Sequence, residues 1–239
     1  TFSEYAIVSQ NRITRVPPDT SPELCALMGC GLSTALGTLE RDAALKIGES
    51  LLVVGVGGLG CNLIKAGTLM HATPIVAIDI KTEKRQLAYS MGASLFDASW
   101  AAMRHSMKDV GIRGFNVIVE TSGDADAIRK SLTFLLPGGR FIMVGQPMPR
   151  KNVTILNARH FFDGEGNGKT ILATQGGGFQ PEVDIPRYIR LYQNGALDIS
   201  DIITHRMKLD EINDAITLVR QGEAGRIITQ VRQQDAIAK

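Results

Sequence analysis

The six residues from Gly55 to Gly60, Gly-Val-Gly-Gly-Leu-Gly, have the pattern of a phosphate-binding turn. They directly follow the apolar run Leu51 to Val54, which is typical of a strand buried on both faces. Asp79 stands 19 residues after Gly60, close to the spacing of about 20 at which a ribose-binding acid is expected. Together these features predict a site for a dinucleotide.

Each glycine of this turn has a separate physical task. Gly55 permits a tight turn, Gly57 lets the backbone approach a pyrophosphate, and Gly60 lets the following helix lie close to the strand. The N–H groups near Gly58 and Leu59 would then point at the phosphates, assisted by the helix dipole. The alternative is a purely structural strand, turn and helix without a ligand.

Asp79 is predicted to accept hydrogen bonds from the hydroxyls of the adenosine ribose. Its charge would repel a 2′-phosphate, so it favours NAD over NADP. Lys81, Lys84 and Arg85 follow closely. Three interpretations of these residues stay open. They could bind a 2′-phosphate, they could form a solvated helix face, or one of them could lie beside the adenosine ribose.

Strands and helices alternate along most of the chain, which predicts an α/β fold with a doubly wound parallel sheet. Right-handed crossovers limit its topologies to a few, and the glycine turn favours among them the Rossmann fold, with strand order 3-2-1-4-5-6. One or two short strands are expected in 2–16, and a long exposed loop is expected in 152–168. Trp100, Met103, Met107 and Val110 are expected in the core, and Leu209, Ile212, Ile216 and Val219 on one helix face. The predicted strands are 51–54, 74–78, 94–96, 115–119, 140–144, 169–174 and 227–231, and the predicted helices begin at Ser21 and lie at 59–70, 82–91, 99–110 and 124–136.

Ligands of an open α/β sheet bind beyond the carboxyl ends of its strands, where the strand order reverses. Two segments follow strands at that edge, namely Glu120 to Gly123 and Val144 to Gln146. We therefore expect Thr121, Ser122, Val144 and Gly145 on the nicotinamide side of a bound dinucleotide. The alternative is that both segments are plain connecting loops.

Composition excludes several other classes of function. The chain has 239 residues, 44% of them hydrophobic, and a net charge of +2 with acidic and basic residues mixed. This balance does not predict nucleic-acid or membrane binding. No apolar stretch approaches about 20 residues, and the N-terminus lacks the features of a signal peptide. The three cysteines form no CxxC motif, which suits a reducing cytoplasm. The missing initiator Met suggests a fragment or a processed product.

The segment Met28 to Gly37, the glycine turn and Val76 to Ile80 together resemble the zinc-dependent medium-chain alcohol dehydrogenases. The resemblance continues at Asp201 to His205, Leu209 to Asn213 and Gly222 to Arg226, so that it covers essentially the whole chain.

The resemblance implies roles for individual residues. Cys30 corresponds to one ligand of the catalytic zinc, Thr34 lies against the nicotinamide, Lys84 lies beside the adenosine ribose, and Arg226 is near the phosphates. The segment 175–179 resembles the turn that leaves the cofactor domain, and 169–174 the edge strand that pairs across a dimer. The expected cofactor-binding residues are Thr34, Gly55, Gly57, Gly58, Leu59, Gly60, Asp79, Ile80, Lys84, Thr121, Ser122, Val144, Gly145 and Arg226.

The family's other zinc ligands and proton-relay residues belong to a GroES-like, β-rich catalytic domain. We expect only remnants of it here, in 1–31 and 175–239, on either side of a Rossmann domain at 32–174. A catalytic zinc needs about three protein ligands. Cys30 alone cannot hold one, and His71, His105, His160 and His205 lack metal-ligand spacing to it. No complete catalytic set is therefore expected, and zinc is expected only if the missing domain supplies its other ligands.

The resemblance implies an NAD-dependent oxidoreductase that transfers hydride between NAD(H) and a small alcohol or carbonyl substrate. It also implies a homodimer or a higher homo-oligomer, and the isolated chain is expected to be inactive. One alternative is a zinc-free NADPH quinone or enoyl reductase, against which Cys30 and Asp79 both argue. Another is a non-catalytic nucleotide-binding module. A methyltransferase ranks lower because the family match extends beyond the glycine turn.

Overall fold

The computed structural model describes residues 2–154 and 168–231. The chain divides into two compact units, Gly29–Phe179 and a smaller one made of Thr1–Met28 and Gln180–Lys239. Most of the loop predicted at 152–168, with His160, lies outside the described residues.

The larger unit contains a six-stranded sheet in which every neighbouring pair of strands is parallel. Its strands are β1 (Leu51–Val54), β2 (Ile75–Ile78), β3 (Leu95–Asp97), β4 (Phe115–Glu120), β5 (Leu135–Met143) and β6 (Thr170–Ala173). They lie in the order β3-β2-β1-β4-β5-β6. The doubly wound sheet and its strand order, both predicted from the sequence, are confirmed.

Along the chain, a helix lies between each two successive strands from β1 to β5. In chain order, α1 (Pro22–Met28) belongs to the smaller unit, and the larger unit contains α2 (Gly31–Gly37), α3 (Gly58–Leu69), α4 (Lys84–Ser90), α5 (Trp100–Asp109) and α6 (Ala125–Ser131). A π-helical turn, Thr38–Asp42, directly continues α2. The hydroxyl of Ser99 accepts the N–H of Ala102 and so caps α5.

The core of the larger unit lies between the sheet and its helices. All residues of β1 and β2 are buried, as their unbroken apolar sequences predict. Met103 and Met107 are buried in this core as expected, and the partly buried Trp100 stacks on Phe134 at 5.9 Å between ring centroids. Val110 is 63% exposed, so its predicted core position is wrong, because α5 ends one residue before it.

The helix predicted at 124–136 is shorter than expected. It ends at Ser131, a 3-10 turn follows, and β5 begins at Leu135, so that Pro137 lies inside a strand. Strand β5 pairs with β6 only from Arg140 onwards, and its register against β4 shifts between Phe115 and Val117. Proline is tolerated at such an irregular, one-sided part of a strand because no ladder hydrogen bond needs its missing N–H.

The strands predicted in 2–16 are not found, because this described segment forms only a 3-10 turn at Gln10–Arg12. Its apolar side chains, including Tyr5 and Ile7, are exposed. Apolar and β-branched residues favour extended backbone, but a strand forms only where a neighbouring strand supplies hydrogen-bond partners.

The smaller unit begins at α1, where the hydroxyl of Ser21 accepts the N–H of Leu24 at 3.2 Å. Its other elements are α7 (Pro181–Gln193), β7 (Ile203–Lys208), α8 (Ile212–Gln221) and β8 (Arg226–Gln230), and β7 pairs with β8 in parallel. Of the predicted helix face, Ile216 and Val219 are exposed. Among the described residues of both units, no helix combines the length and the apolar character that crossing a membrane requires.

Candidate dinucleotide site

The carboxyl ends of four strands meet in one row of the sheet. Val54 of β1 is in register with Ile78 of β2 on one side and with Glu120 of β4 on the other, and Glu120 is in register with Met143 of β5. The segments that follow these strands therefore leave the sheet side by side, at the edge where such folds bind ligands.

The glycine turn joins β1 to α3 with very little space. The N–H of Gly55 donates to the carbonyl of Ile78 at 2.8 Å, and Gly55 has a φ of +91°. A Cβ on Gly55 would lie 2.6 Å from Oγ1 of Thr121, and a Cβ on Gly60 would overlap the carbonyl oxygen of Gly55. Both positions therefore require glycine if α3 is to begin this close to the strand.

The first turn of α3 is open. Gly57 precedes the helix without a side chain to cap it, no acidic residue occupies the first turn, and a Cβ on Gly57 would meet no atom within 4 Å. The first N–H groups of a helix have no acceptor within the helix. With the positive end of the helix dipole, this open space fits a pyrophosphate.

Asp79, directly after β2, is fixed above this turn by two backbone N–H groups. Its Oδ2 accepts from Val56 at 2.7 Å and its Oδ1 accepts from Lys81 at 2.9 Å. An ionised carboxylate has about four acceptor positions. Two hydrogen bonds thus leave room for the two hydroxyls of a ribose, and the residues present fit the adenosine end of NAD.

The residues after Asp79 differ in exposure. Ile80 is 90% exposed, and Lys84, the first residue of α4, is only 7% exposed. A solvated helix face is therefore the wrong description of Lys84. The Arg85 guanidinium lies over the ring of Phe96 at 5.4 Å.

The segment after β4 is tied to the glycine turn and to its own strand. Oγ1 of Thr121 donates to the carbonyls of Val54 at 2.8 Å and Gly55 at 3.2 Å. The buried carboxylate of Glu120 accepts from the backbone N–H of Ser122 at 2.7 Å, from the hydroxyl of the same serine, and from the N–H of Gly123 at 3.0 Å. These contacts bring the predicted residues Thr121 and Ser122 next to the glycine turn.

Burial raises the pKa of Glu120 above its ordinary value of 4.5. The hydrogen bonds from Ser122 and Gly123 act in the opposite direction, and the negative charge of Asp124 adds to the rise. Burial thus favours the neutral form of this carboxyl group, whereas the hydrogen bonds favour its charged form.

The segment after β5 packs against the segment after β4. The N–H groups of Val144 and Gly145 both donate to the carbonyl of Glu120 at 2.9 Å. A Cβ on Gly145 would overlap the N–H of Gly123 and lie 2.8 Å from Oε2 of Glu120. The structure thus places both predicted nicotinamide-side segments in contact.

A mainly apolar cavity of about 590 Å³ borders the second of these segments on Val144, Gly145 and Gln146. Among the described residues, its lining contains neither the glycine turn nor Asp79. The cavity thus adjoins the predicted nicotinamide-side residues Val144 and Gly145, while the glycine turn and Asp79 form the other part of the candidate dinucleotide site.

Thr34 lies in α2, which packs against α3, and is 6% exposed. A Cβ on Gly177 would overlap the Thr34 carbonyl oxygen, and a Cβ on Gly37 would overlap the Gly177 carbonyl oxygen. The segment after β6 therefore contacts the backbone of α2 directly. The sequence analysis missed this contact, for which glycine on both sides was the available signal.

Cys30 is exposed and immediately precedes α2. Within 2–154 and 168–231, no group of three His, Cys, Asp or Glu residues could hold a metal ion. The described residues thus do not by themselves fit a catalytic zinc, and the ligand role of Cys30 remains a prediction. His105 pairs with Asp109, and Nδ1 of His205 lies 2.9 Å from Oγ1 of Thr204. Arg226, at the start of β8, belongs to the smaller unit, and its phosphate role also remains a prediction.

Comparison with known proteins agrees with this geometry. The family model described as "Zinc-binding dehydrogenase" matches residues 58–193. Alcohol dehydrogenase 3 of Hordeum vulgare is 27% identical over 98% of this chain and 61% of its own length. An S-(hydroxymethyl)glutathione dehydrogenase of Escherichia coli is 26% identical over 95% of this chain and 62% of its own length.

Among solved structures, benzyl alcohol dehydrogenase from Acinetobacter calcoaceticus superposes with a TM-score of 0.83 at 25% identity, covering 92% of this chain and 59% of that protein. The chain thus spans about three fifths of the length of these relatives. The family model covers more than half of the chain, and its match includes strands β2 to β6 of the Rossmann-type sheet. The chain belongs to the zinc-binding dehydrogenase family.

Proposed function

We propose that this chain is the NAD-binding part of an alcohol dehydrogenase-type oxidoreductase, which transfers hydride between NAD(H) and a small alcohol or carbonyl compound. The observation that carries the proposal is the hydrogen bond from the N–H of Val56 to Asp79. It joins a ribose-binding carboxylate to a phosphate-binding turn in one fixed arrangement.

The adenosine end of the dinucleotide would be held by two groups. The N–H groups at the start of α3, near Gly58 and Leu59, bind the pyrophosphate in the open space at Gly57. The free lone pairs of Asp79 accept the ribose hydroxyls, with Ile80 and Lys84 alongside. The negative charge of Asp79 disfavours a 2′-phosphate, which supports NAD over NADP and argues against the NADPH reductase alternative.

The nicotinamide end would lie along the segments that contain Thr121, Ser122, Val144 and Gly145, with Thr34 of α2 nearby. When bound there, NAD supplies the hydride acceptor of the reaction. The chain's own residues orient the nicotinamide ring and keep its position fixed relative to the pyrophosphate.

We propose that the substrate pocket is shaped largely by the catalytic domain and not by the residues described above. Two relatives are alcohol dehydrogenases by name, and a third is an S-(hydroxymethyl)glutathione dehydrogenase. We propose the same general reaction for the whole protein. We also propose a Rossmann domain at 32–174, with 1–31 and 175–239 belonging to a catalytic domain, and weak or absent turnover by the 239-residue chain alone.

Isothermal titration of the chain with NAD and with NADP tests the proposal. We expect saturable binding of both, with NAD the tighter ligand. Tighter binding of NADP would favour the NADPH reductase alternative, and the absence of heat with either ligand would overturn the assignment. Rapid alcohol oxidation by the isolated chain would contradict the proposed division of labour.

Self-association is proposed through β6. This strand lies at one end of the described sheet, and three of its four residues, including Leu172, are exposed. An edge strand has free N–H and C=O groups along one side and can pair with a second copy. Sedimentation velocity should show a dimer or larger homo-oligomer, and a monomer at every protein concentration would refute this.

A further inference from the structure

Glu120 is a charged residue at the end of an apolar strand, and its side chain has no exposed surface. A buried carboxylate is unfavourable unless hydrogen bonds replace the water that it loses. Here Ser122 and Gly123 supply three donor groups between them, two backbone N–H groups and one hydroxyl. Because the carboxylate of Glu120 accepts all three, we expect it to fix the backbone conformation of the segment after β4.

Both nicotinamide-side segments depend on Glu120. Its side chain holds Ser122 and Gly123, and its carbonyl accepts the N–H groups of Val144 and Gly145. A Cβ on Gly145 would lie only 2.8 Å from Oε2 of the carboxylate, so the two segments and the side chain are closely packed. A displacement of this carboxylate would therefore move both segments.

The adenosine end has a different support. Asp79 accepts hydrogen bonds from the N–H groups of Val56 and Lys81. The first turn of α3 is positioned by the close approach of Gly60 to Gly55. None of the hydrogen bonds described for Asp79 involves the Glu120 side chain. The segment after β4 does reach the glycine turn, but it does so through the hydroxyl of Thr121 and not through the Glu120 carboxylate. A change in that carboxylate can therefore perturb the nicotinamide end without the adenosine end.

We propose that Glu120 is a positioning residue for the nicotinamide end of NAD. Its buried carboxylate fixes the segments after β4 and β5 in the shape that receives the nicotinamide ring, while the adenosine end binds independently of it. This inference rests on the proposed NAD-binding function and extends it to a residue that would contact the cofactor only through its neighbours.

The test compares NAD with ADP-ribose, which has a hydroxyl in place of the positively charged nicotinamide ring. In Glu120→Gln, the amide N–H₂ replaces one carboxylate oxygen and faces the N–H groups of Ser122 and Gly123, which also donate. We therefore expect the segments after β4 and β5 to shift. The dissociation constant for NAD should rise about tenfold or more, which corresponds to the loss of one charge-assisted hydrogen bond. The constant for ADP-ribose should change by less than about twofold. Both are measured by calorimetry, with the melting temperature recorded in parallel.

A matched control is Glu49→Gln. Glu49 is a hydrogen-bonded glutamate like Glu120, but it is only partly buried and pairs with Arg140 at the opposite, amino end of the sheet. This variant should lower the melting temperature while leaving both dissociation constants unchanged. It separates a loss of stability from a loss of positioning.

If Glu120→Gln fails to fold, Glu120→Asp replaces it. Aspartate keeps the charge but is shorter by one methylene and withdraws from Ser122, so the same selective loss of NAD affinity is expected. Equal weakening of both ligands, or unchanged NAD affinity, would overturn the positioning role. Wild-type chain that binds ADP-ribose as tightly as NAD would also overturn it, although the nucleotide site would stand. Wild-type chain that binds neither ligand would overturn the proposed function itself.

Discussion

Oδ2 of Asp79 accepts the backbone N–H of Val56 at 2.7 Å across 23 positions of sequence. Val56 lies inside the glycine turn, so the acid that would bind the ribose is attached to the turn that would bind the phosphates. The spacing between Gly60 and Asp79 is the length of chain that α3 and β2 need to bring the two together. In the proposed complex, binding of the sugar and binding of the phosphates would thereby be coupled through one hydrogen bond.

Replacing Asp79 with asparagine should reduce the preference for NAD over NADP. The amide removes the charge that repels a 2′-phosphate and places an N–H₂ against the N–H of Val56 or Lys81. We expect the ratio of the two dissociation constants to fall by about tenfold, measured by calorimetry with each cofactor. Asp97→Asn, at the end of β3, is the control and should leave the ratio unchanged. If the ratio of the NAD and NADP dissociation constants is the same in both variants, Asp79 does not determine cofactor specificity.

Gly57→Ala should weaken cofactor binding without loss of stability. The added Cβ meets no protein atom within 4 Å, so the fold accommodates it, but it occupies the space assigned to the pyrophosphate. We expect the dissociation constant for NAD to rise at least about tenfold, with an unchanged melting temperature. Gly176, whose Cβ would also meet nothing within 4 Å, supplies the control Gly176→Ala. Normal NAD affinity in Gly57→Ala would place the pyrophosphate elsewhere.

Gly60→Ala should behave in the opposite way and destabilise the fold itself. Its Cβ would overlap the carbonyl of Gly55, so α3 must move away from β1. Overpacking of this kind lowers the free energy of unfolding by about 1–3 kcal/mol. Urea denaturation followed by circular dichroism measures this change. An unchanged midpoint would show that α3 does not lie as close to β1 as the structure indicates.

Thr121→Val tests the link between the segment after β4 and the glycine turn. Valine keeps the shape but removes the hydroxyl that donates to Val54 and Gly55. We expect the free energy of unfolding to fall by about 1–2 kcal/mol, together with weaker NAD binding. Thr121→Ser retains the hydroxyl and should recover most of both losses. If serine and valine behave alike, the hydroxyl does not support the turn.

The ion pair between Glu49 and Arg140 should make stability depend on pH. Burial raises the pKa of Glu49, but hydrogen bonds from Arg140 and the Lys46 N–H, with the nearby positive charges, outweigh it and hold the pKa below 4.5. A lowered pKa means that the folded state binds the proton more weakly than the unfolded state. The stabilisation is therefore present above 4.5 and is lost as the pH falls through the lower folded value.

Chemical denaturation at about pH 7 and about pH 4 measures this dependence. The loss of stability between these pH values should be larger in the wild type than in Glu49→Gln, which cannot titrate at this position. Equal losses in the two proteins would show that the pair contributes nothing to the pH dependence.

The sequence by itself determined the strand order of the six-stranded sheet and the position of the glycine turn between β1 and α3. Both follow from local signals: apolar runs in β1 and β2, glycine at Gly55 and Gly60, and an acid at a fixed distance. These signals work because steric limits on the backbone and the burial of both faces of a parallel sheet act on neighbouring residues.

The tertiary structure decided what local signals could not. It showed that 2–16 forms no strand, because the described residues offer this segment no partner, and that Pro137 lies within β5, because β6 begins to pair only at Arg140. It also showed that Glu120 is buried against Ser122 and Gly123. Hydrogen-bond partners and burial depend on segments distant in the chain, so only the folded arrangement specifies them.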